Sequence, residues 1–171
     1  MKHKFLLIYS WLVRSFLFFF PDIPVFMRFR GWLYGLGMKN CGNNFQVTHS
    51  VFLNSIDRMV VGDNVYIANF CSLIANGIIE LGDNVLLGPG VTVSSGNHRY
   101  ENGCLLKESN QKDIKIGHDC WLASNSTIVA GSYLPNSCIL AANSVLTNKL
   151  DVLEDECIYG GIPARFIKKN K

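Results

Sequence analysis

A six-residue repeat of aliphatic residues constrains this chain more than any other feature. One apolar position recurs at intervals of six, with two-residue slips at Met59-Val60 and Ile79-Glu80. The repeat positions are Val61, Ile67, Leu73, Ile79, Leu81, Leu87, Val93, Ile116, Leu122, Ile128, Leu134, Leu140 and Leu146. This period fits neither the turn of an α-helix nor a two-faced strand. It predicts a triangular coil, in which each hexapeptide forms one flat face and successive turns stack about 4.8 Å apart by parallel strand pairing.

The residue after the repeat aliphatic is small in many units, as in Gly62, Ala68, Gly82 and Gly117. With this pattern the chain resembles the hexapeptide-repeat acyltransferase superfamily, and among its members the sugar O-acetyltransferases. The resemblance implies an all-β fold, a left-handed parallel β-helix, and about five coils fit the length of the repeat. The handedness comes from the resemblance, since the period alone does not give it.

We expect three segments along the chain. Residues 1–40 form an apolar helical segment, residues 41–153 form the β-helix with a long protruding loop at 99–113, and residues 154–171 form a segment that closes the end of the core.

The first segment contains two apolar stretches, at 5–20 and 25–36. Stretch 5–20 follows the basic start MKHK, but no small-residue cleavage site of a signal peptide comes after it. Interrupted by Arg14, it is also short for a membrane span, which needs about 20 apolar residues. We expect helices that pack on the main domain or on a partner subunit. The alternative is a helix on a membrane surface, with Lys2, Lys4 and Arg14 near lipid phosphates.

Charge and cysteine usage limit the classes of partner and compartment. The 16 Lys and Arg against 13 Asp and Glu leave a net charge of +3, which is too small to indicate nucleic-acid binding. The six cysteines include no C-x-x-C pair and no zinc-finger spacing. We interpret them as reduced thiols of a cytoplasmic protein.

The repeat is interrupted directly after His98. The polar stretch at 99–113 leaves the repeat, which resumes in phase at Ile114. A long excursion from a regular solenoid is usually functional. In the sugar O-acetyltransferases that the chain resembles, a loop leaves the helix after a catalytic histidine in a similar context. The resemblance therefore implies that His98 is the general base, and a neutral imidazole suits that role near neutral pH.

The other histidines do not suggest a metal site. His3 lies in the basic terminus, His49 in an irregular first coil, and His118 in a turn position that carries Asp in other units. Carbonic anhydrases of this fold would require two histidines five residues apart beside a third, and no such pair exists here. We therefore expect no metal.

Two asparagines are candidates for binding the acceptor. Asn69 stands in an I-x-N-x-x-C setting that resembles an acceptor-binding asparagine of the family, although a corner asparagine can also bond only to its own backbone. An acidic residue usually follows in the family. Here Ala75-Asn76-Gly77 stands instead, which makes Asn76 a weaker substitute.

The donor motifs follow the excursion. Trp121-Leu122-Ala123-Ser124 and Leu140-Ala141-Ala142 resemble family segments that contact the pantetheine arm of coenzyme A, with alanine where glycine is usual. The closing segment Gly161-Ile162-Pro163-Ala164-Arg165 is similar to the family's G-N-P-A-[KR]. The resemblance implies the following CoA-binding residues: Trp121, Ala123, Ser124, Ala141, Ala142, Lys149, Pro163, Ala164, Arg165 and Lys168.

Together these features predict an O-acetyltransferase that moves an acetyl group from acetyl-CoA, its co-substrate, to a hydroxyl of a saccharide such as a surface glycan or its precursor. The family's threefold assembly implies a homotrimer with sites between subunits. Two alternatives stay open at this stage: N-acetylation of an amino sugar, which needs the same base and donor site, and a non-catalytic β-helix scaffold.

Overall fold

The computed structural model describes residues 2–148 and 154–170. Two helices precede the strands: α1 (Lys2–Leu17) and α2 (Pro24–Gly35). Proline suits the start of α2, because its missing N–H would have no partner in the first helical turn. In the described part of the chain, neither helix has the length and apolar character to cross a membrane.

Short strands make up most of the remaining structure. They are β1 (Asn40–Cys41), β2 (Gln46–Val47), β3 (Phe52–Asn54), β4 (Met59–Val61), β5 (Tyr66–Ile67), β6 (Ser72–Ile74), β7 (Ile79–Leu81), β8 (Leu86–Leu87), β9 (Thr92–Ser94), β10 (Gly96–Glu101), β11 (Cys104–Gln111), β12 (Ile114–Ile116), β13 (Trp121–Leu122), β14 (Thr127–Val129), β15 (Tyr133–Leu134), β16 (Ile139–Leu140), β17 (Val145–Leu146), β18 (Cys157–Gly161) and β19 (Ala164–Lys169).

Three parallel sheets form the faces of a triangular β-helix, which confirms the predicted fold class. The first face consists of β1, β4, β7, β12 and β15, the second of β2, β5, β8, β13, β16 and β18, and the third of β3, β6, β9, β14 and β17. We call the corner between the first and second faces the first edge, that between the second and third the second edge, and that between the third face and the next coil the third edge.

The coil count is slightly higher than predicted. Within the described residues, β1 to β17 make five complete coils, and β18 stacks in parallel on β16 to begin a sixth. The closing segment was expected only to cover the core. It adds a strand because Ile158 and Tyr159 pair in register with Ile139 and Leu140.

The repeat aliphatics form the core, as the sequence predicts. None of the thirteen repeat positions is more than 1% exposed, and they belong to one continuous cluster. The corners allow this stacking, because asparagine tolerates a left-handed backbone better than most residues. Asn44, Asn64 and Asn84 each have φ of 57° at the first edge, and their side-chain amides form a ladder of hydrogen bonds of 3.0 and 3.2 Å.

The polar excursion is a β-hairpin rather than an irregular loop. Strands β10 and β11 pair antiparallel and project from the third edge between the third and fourth coils. The pairing begins at Gly96 and Gln111, so His98 belongs to the first strand of the hairpin instead of preceding it.

Both helices pack one face on the first coil. Leu6, Val13 and Leu17 of α1 and Tyr34 of α2 are buried in the main core cluster. Gly31 allows α2 to approach closely, since a Cβ there would lie 2.7 Å from the carbonyl carbon of Phe45. Residues 2–40 are therefore part of the same packed body as the first coil.

Candidate active site

Seven of the thirteen predicted site residues lie on two separate edges of the β-helix. Five of them lie on the second edge: Asn69, Ala123, Ser124, Ala141 and Ala142. His98 and Asn76 lie on the third edge, where the chain passes from the third face to the next coil. The third face separates these edges, so a single chain does not bring His98 to Asn69.

The side chain of His98 is exposed on β10. It stands opposite Ser109 of β11, and the pairing has a bulge between His98 and Tyr100. An exposed imidazole on a projecting strand can be presented to another molecule, whereas nothing in the described chain is hydrogen-bonded to its ring nitrogens.

Buried Ser95 attaches the hairpin to the coil beneath it. Its hydroxyl donates to the carbonyl of Gly77 and accepts from the N–H of Gly77, both at 2.9 Å. Its own N–H donates to the carbonyl of Ile74 at 3.1 Å, and its carbonyl accepts from the N–H of Lys112 at 3.0 Å. These bonds fix the base of the hairpin close to His98.

Asn76 lies directly under this base. A Cβ on Gly96 would lie 2.8 Å from the Cβ of Asn76, so the backbone at Gly96 can approach only because that position is glycine. The guanidinium of Arg58 donates to the carbonyl of Asn76 and, at 3.5 Å, to the side chain of Gln111. The structure thus places Asn76 in contact with the hairpin, away from Asn69.

Asn69 belongs to a polar cluster on the second edge. Its side-chain amide donates to Asp22 Oδ2 at 3.0 Å, and Nδ1 of His49 lies 2.6 Å from the same oxygen. The N–H of His49 donates to Asp22 Oδ1 at 2.8 Å. A carboxylate at Nδ1 favours the tautomer with a proton on that nitrogen, which leaves Nε2 as an acceptor.

The side chain of Arg30 also binds the carboxylate of Asp22. This buried guanidinium donates to Asp22 Oδ1 at 2.8 Å, to the carbonyl of Val47 at 3.3 Å and to those of Leu17 and Phe20. Burial alone would raise the pKa of Asp22, but the hydrogen bonds from His49 and Asn69 outweigh it and hold the pKa below its ordinary value. Asp22 is therefore ionised near neutral pH and orients both neighbours.

A groove of about 460 Å³ opens beside this cluster. Its lining includes His49, Phe18, Phe19 and Phe70, and the rings of Phe18 and His49 meet edge to face at 5.1 Å. Aromatic walls beside a few oriented polar groups are typical of a small-molecule site. Sequence reasoning selected Asn69 but did not select Asp22 or His49.

The donor candidates begin on the second face. Trp121 is half exposed and pairs in register with Leu86 and Ile139 on the outer surface, which forms an apolar strip there. Ala123 is buried at the adjoining corner, and its N–H donates to the carbonyl of Leu140 at 2.9 Å.

The other small corners stack along the second edge. Ser124 accepts at its carbonyl from Asn143 at 3.0 Å, and the N–H of Ala141 donates to Tyr159 at 2.8 Å. Ala142 is exposed beside them. Ala123, Ser124, Ala141 and Ala142 thus place small side chains along this edge, and the N–H groups of Ala123 and Ala141 are bonded between coils.

The closing segment forms a hairpin at the end of the second face. Strands β18 and β19 pair antiparallel, Ala164 is buried and Pro163 is exposed in the turn. Arg165 and Lys168 are exposed on β19. Lys149, the remaining donor candidate, lies outside the described residues.

No model of a protein family matches the chain. A putative lipopolysaccharide biosynthesis O-acetyl transferase, WbbJ of Escherichia coli, is 24% identical over 84% of this chain and 78% of its own length. The galactoside O-acetyltransferase of E. coli is 26% identical over 75% of this chain, and the match spans 62% of that enzyme. The crystal structure of a hexapeptide-repeat acetyltransferase of Vibrio cholerae complexed with acetyl coenzyme A superposes with a TM-score of 0.78 at 21% identity, covering 98% of this chain and 88% of the other.

The likeness to the solved structure establishes the fold, which is that of a hexapeptide-repeat β-helix. The sequence relatives are acetyltransferases, and the chain is similar to hexapeptide-repeat acyltransferases in both sequence and fold.

Proposed function

We propose that this acyltransferase is an acetyl-CoA-dependent O-acetyltransferase acting on a saccharide hydroxyl in the cytoplasm, with His98 as general base and direct transfer. The observation that carries the proposal is the exposed imidazole of His98 on a hairpin whose base is fixed by Ser95. The sequence relatives are named as a galactoside O-acetyltransferase and a putative O-acetyl transferase of lipopolysaccharide biosynthesis, which supports the acceptor class.

Acetyl-CoA supplies an acetyl thioester. His98 accepts the proton of the acceptor hydroxyl as its oxygen attacks the thioester carbonyl, and then returns this proton to the departing thiolate. An acetyl ester and free CoA are the products, and no covalent acyl-enzyme is needed. This agrees with the cysteines, since burial raises the pKa of Cys71 to about 11 and that of Cys120 to about 12, which keeps both as unreactive thiols.

The second edge fits coenzyme A. The small corners at Ala123 and Ala141 leave room for a pantetheine arm against the backbone, and Trp121 offers an apolar surface nearby. The exposed cations Arg165 and Lys168 at the end of the β-helix can meet the phosphates of the nucleotide. We propose Ser124, Ala142 and Pro163 as further contacts with coenzyme A along this path, whereas the side chain of Ala164 is buried in the core and does not reach it.

Asn69 with Asp22 and His49 is our proposed acceptor site. Two hydrogen-bond acceptors, the carbonyl of the Asn69 amide and Nε2 of His49, are directed by Asp22 and suit sugar hydroxyl groups. The negative charge of Asp22 is offset by Arg30 at 2.8 Å, which weakens its attraction for the ammonium group of an amino sugar. This balance favours a hydroxyl acceptor over an amine.

A complete site requires two subunits. Since His98 and Asn69 lie on different edges of one chain, we propose a homotrimer in which the hairpin of one subunit reaches the second edge of its neighbour. A cyclic trimer makes three equivalent sites of this kind.

The test is thiol release from acetyl-CoA with a panel of matched hydroxy and amino sugars. We expect His98→Ala to lower kcat by about 10²- to 10⁴-fold. His118→Ala is the matched control, because His118 is also exposed and its ring bonds to Asp119 on the first edge. Equal rates for wild type and His98→Ala would contradict the catalytic role, and a lack of CoA binding would favour a scaffold.

A further inference from the structure

The two N-terminal helices have an apolar face that the protein itself does not cover. On α1, Phe5, Ile8, Leu12 and Phe16 follow one another at helical spacing and are 51 to 77% exposed. This face lies on a different side of the helix from the one that carries Leu6, Val13 and Leu17 into the core. A helix that is apolar on both faces requires a second apolar environment.

Helix α2 repeats this arrangement. Its outer stripe consists of Val25, Phe29, Trp32 and Leu36, which are 45 to 69% exposed, and the rings of Phe29 and Trp32 stack at 5.9 Å. The opposite side carries Met27 and Tyr34 into the structure. Of the 22 large hydrophobic residues that are exposed in the described part of the chain, 13 lie between Phe5 and Leu36, and such concentrations mark interaction sites.

The charge of this segment is unlike that of the rest of the chain. Residues 1–40 contain six Lys and Arg and one Asp, a net charge of +5, whereas residues 41–171 contain ten Lys and Arg and twelve Asp and Glu, a net charge of −2. The single acid, Asp22, is engaged by Arg30. The apolar stripes therefore lie in a strongly cationic segment, and an anionic surface complements it.

A cationic cleft adjoins the stripe of α2. It has a volume of about 800 Å³ between α2 and the first coil, and Trp32 and Leu36 form part of its wall. Arg28 and Lys39 line the same cleft, and none of its described lining residues is acidic. The Nε of Arg28 donates to Asn44 at 2.8 Å, which leaves its terminal nitrogens for an anion. A phosphate in this cleft would meet two cations beside an apolar surface.

Several side chains on these faces suit a lipid surface better than a protein partner. Lys4 is exposed next to Phe5 on α1, and lysine is depleted in the centre of protein interfaces but reaches lipid phosphates from an apolar face. Trp11 and Trp32 are each 58% exposed, and tryptophan is enriched at the headgroup level of membranes.

We propose that the outer faces of α1 and α2 dock on the surface of a bilayer containing anionic phospholipid, with Arg28 and Lys39 at the headgroup phosphates. The helices lie in the plane of the interface and their apolar stripes enter the boundary of the acyl chains. The proposal goes beyond acyl transfer and does not depend on it, because no residue of the proposed catalytic site takes part.

The experiment is co-sedimentation of the full chain with vesicles of phosphatidylcholine, alone or with about one-third phosphatidylglycerol. We expect sedimentation with the anionic vesicles and its loss at high salt, since salt screens the charge attraction. Absence of binding to the anionic vesicles by the wild-type chain would overturn the proposal by itself.

Two variants locate the surface. Phe5→Ser with Phe16→Ser should weaken the partitioning by about tenfold or more, and Arg28→Gln with Lys39→Gln by about fivefold for each cation removed. Leu105→Ser is the apolar control and Lys107→Gln with Lys112→Gln the charge control, because all three residues are exposed on the hairpin or at its base. Equal losses in the controls would contradict the assignment.

The alternative to a membrane is that a second copy of the chain covers this apolar face. If the Phe5 and Phe16 substitutions lower the mass in light scattering and vesicle binding is unchanged, the apolar face is a subunit interface and the membrane proposal is wrong. The thiol-release assay with a soluble sugar is independent of vesicles, so a failure of this proposal is distinguishable from a failure of the enzymatic one.

Discussion

Asp22 joins the N-terminal segment to the second edge by contacts with Arg30, with Asn69 and with both the backbone and the ring of His49. It lies 47 residues before Asn69 in the sequence and outside the repeat, so no spacing in the sequence connects the two. Asn69 and His98 are predicted because their settings beside the repeat resemble those of binding and catalytic residues in the sugar O-acetyltransferases. His49 lies in an irregular first coil and was not predicted as a site residue. Its proposed role depends on the contact with Asp22, which only the folded chain creates.

The pH dependence of the stability of the Asp22→Asn variant tests this connection. The pKa of Asp22 is lowered in the folded chain, so its contribution to stability is present above the unfolded pKa, ordinarily 3.8, and is lost as pH falls through the lower folded value. Asparagine does not titrate. We expect the variant to be less stable by about 1–3 kcal/mol near neutral pH. Urea unfolding across the acid range should show this difference shrinking below the ordinary pKa, and a difference independent of pH would refute the prediction.

Among the elements, the hairpin shows why part of the fold escapes sequence analysis. The coils were predicted because every sixth residue is buried, and burial leaves an apolar pattern. The residues of β10 and β11 are nearly all exposed, so their pairing leaves no such pattern and the segment was expected to be a loop. The sixth coil was missed for a related reason, since residues 147–156 interrupt the repeat before Cys157 returns to the core.

Gly96→Ala tests whether the base of the hairpin positions His98. The added Cβ would overlap the side chain of Asn76, and we expect kcat to fall about tenfold to a hundredfold through misplacement of the imidazole. Unchanged far-UV circular dichroism would show that the coils remain folded. The KM for the acceptor should change little.

The second substitution Asn76→Ala in the same chain provides the control. It removes the amide that the new Cβ meets but keeps the Cβ at position 76, 2.8 Å away, so the double variant should recover part of kcat. If Asn76→Ala alone instead raises the KM for the acceptor and leaves kcat unchanged, Asn76 binds the acceptor, as the sequence pattern suggested, and does not support the hairpin.

For the whole molecule, the arrangement of the edges determines where catalysis can occur. The repeat predicts which side chains point inward, and this is enough to specify the prism. Outward positions such as Trp121 and Leu86 follow no burial rule in a single chain, so the repeat does not indicate which face meets another subunit. The trimer was expected from the resemblance, and the separation of His98 from Asn69 now gives a physical reason for it.

Mixed trimers of two inactive variants test this arrangement directly. His98→Ala damages only the third edge of its chain, and Asn69→Ala only the second edge. In a cyclic trimer containing both variants, one interface of the three brings an intact His98 to an intact Asn69, whichever variant is present twice. Co-expression with two different tags and purification on both should therefore give about one third of wild-type activity. Trimers of differently tagged His98→Ala chains are the control and should stay at background. If the mixed trimers also stay at background, each site lies within one chain. This result would contradict the proposal that His98 and Asn69 of one chain belong to different sites.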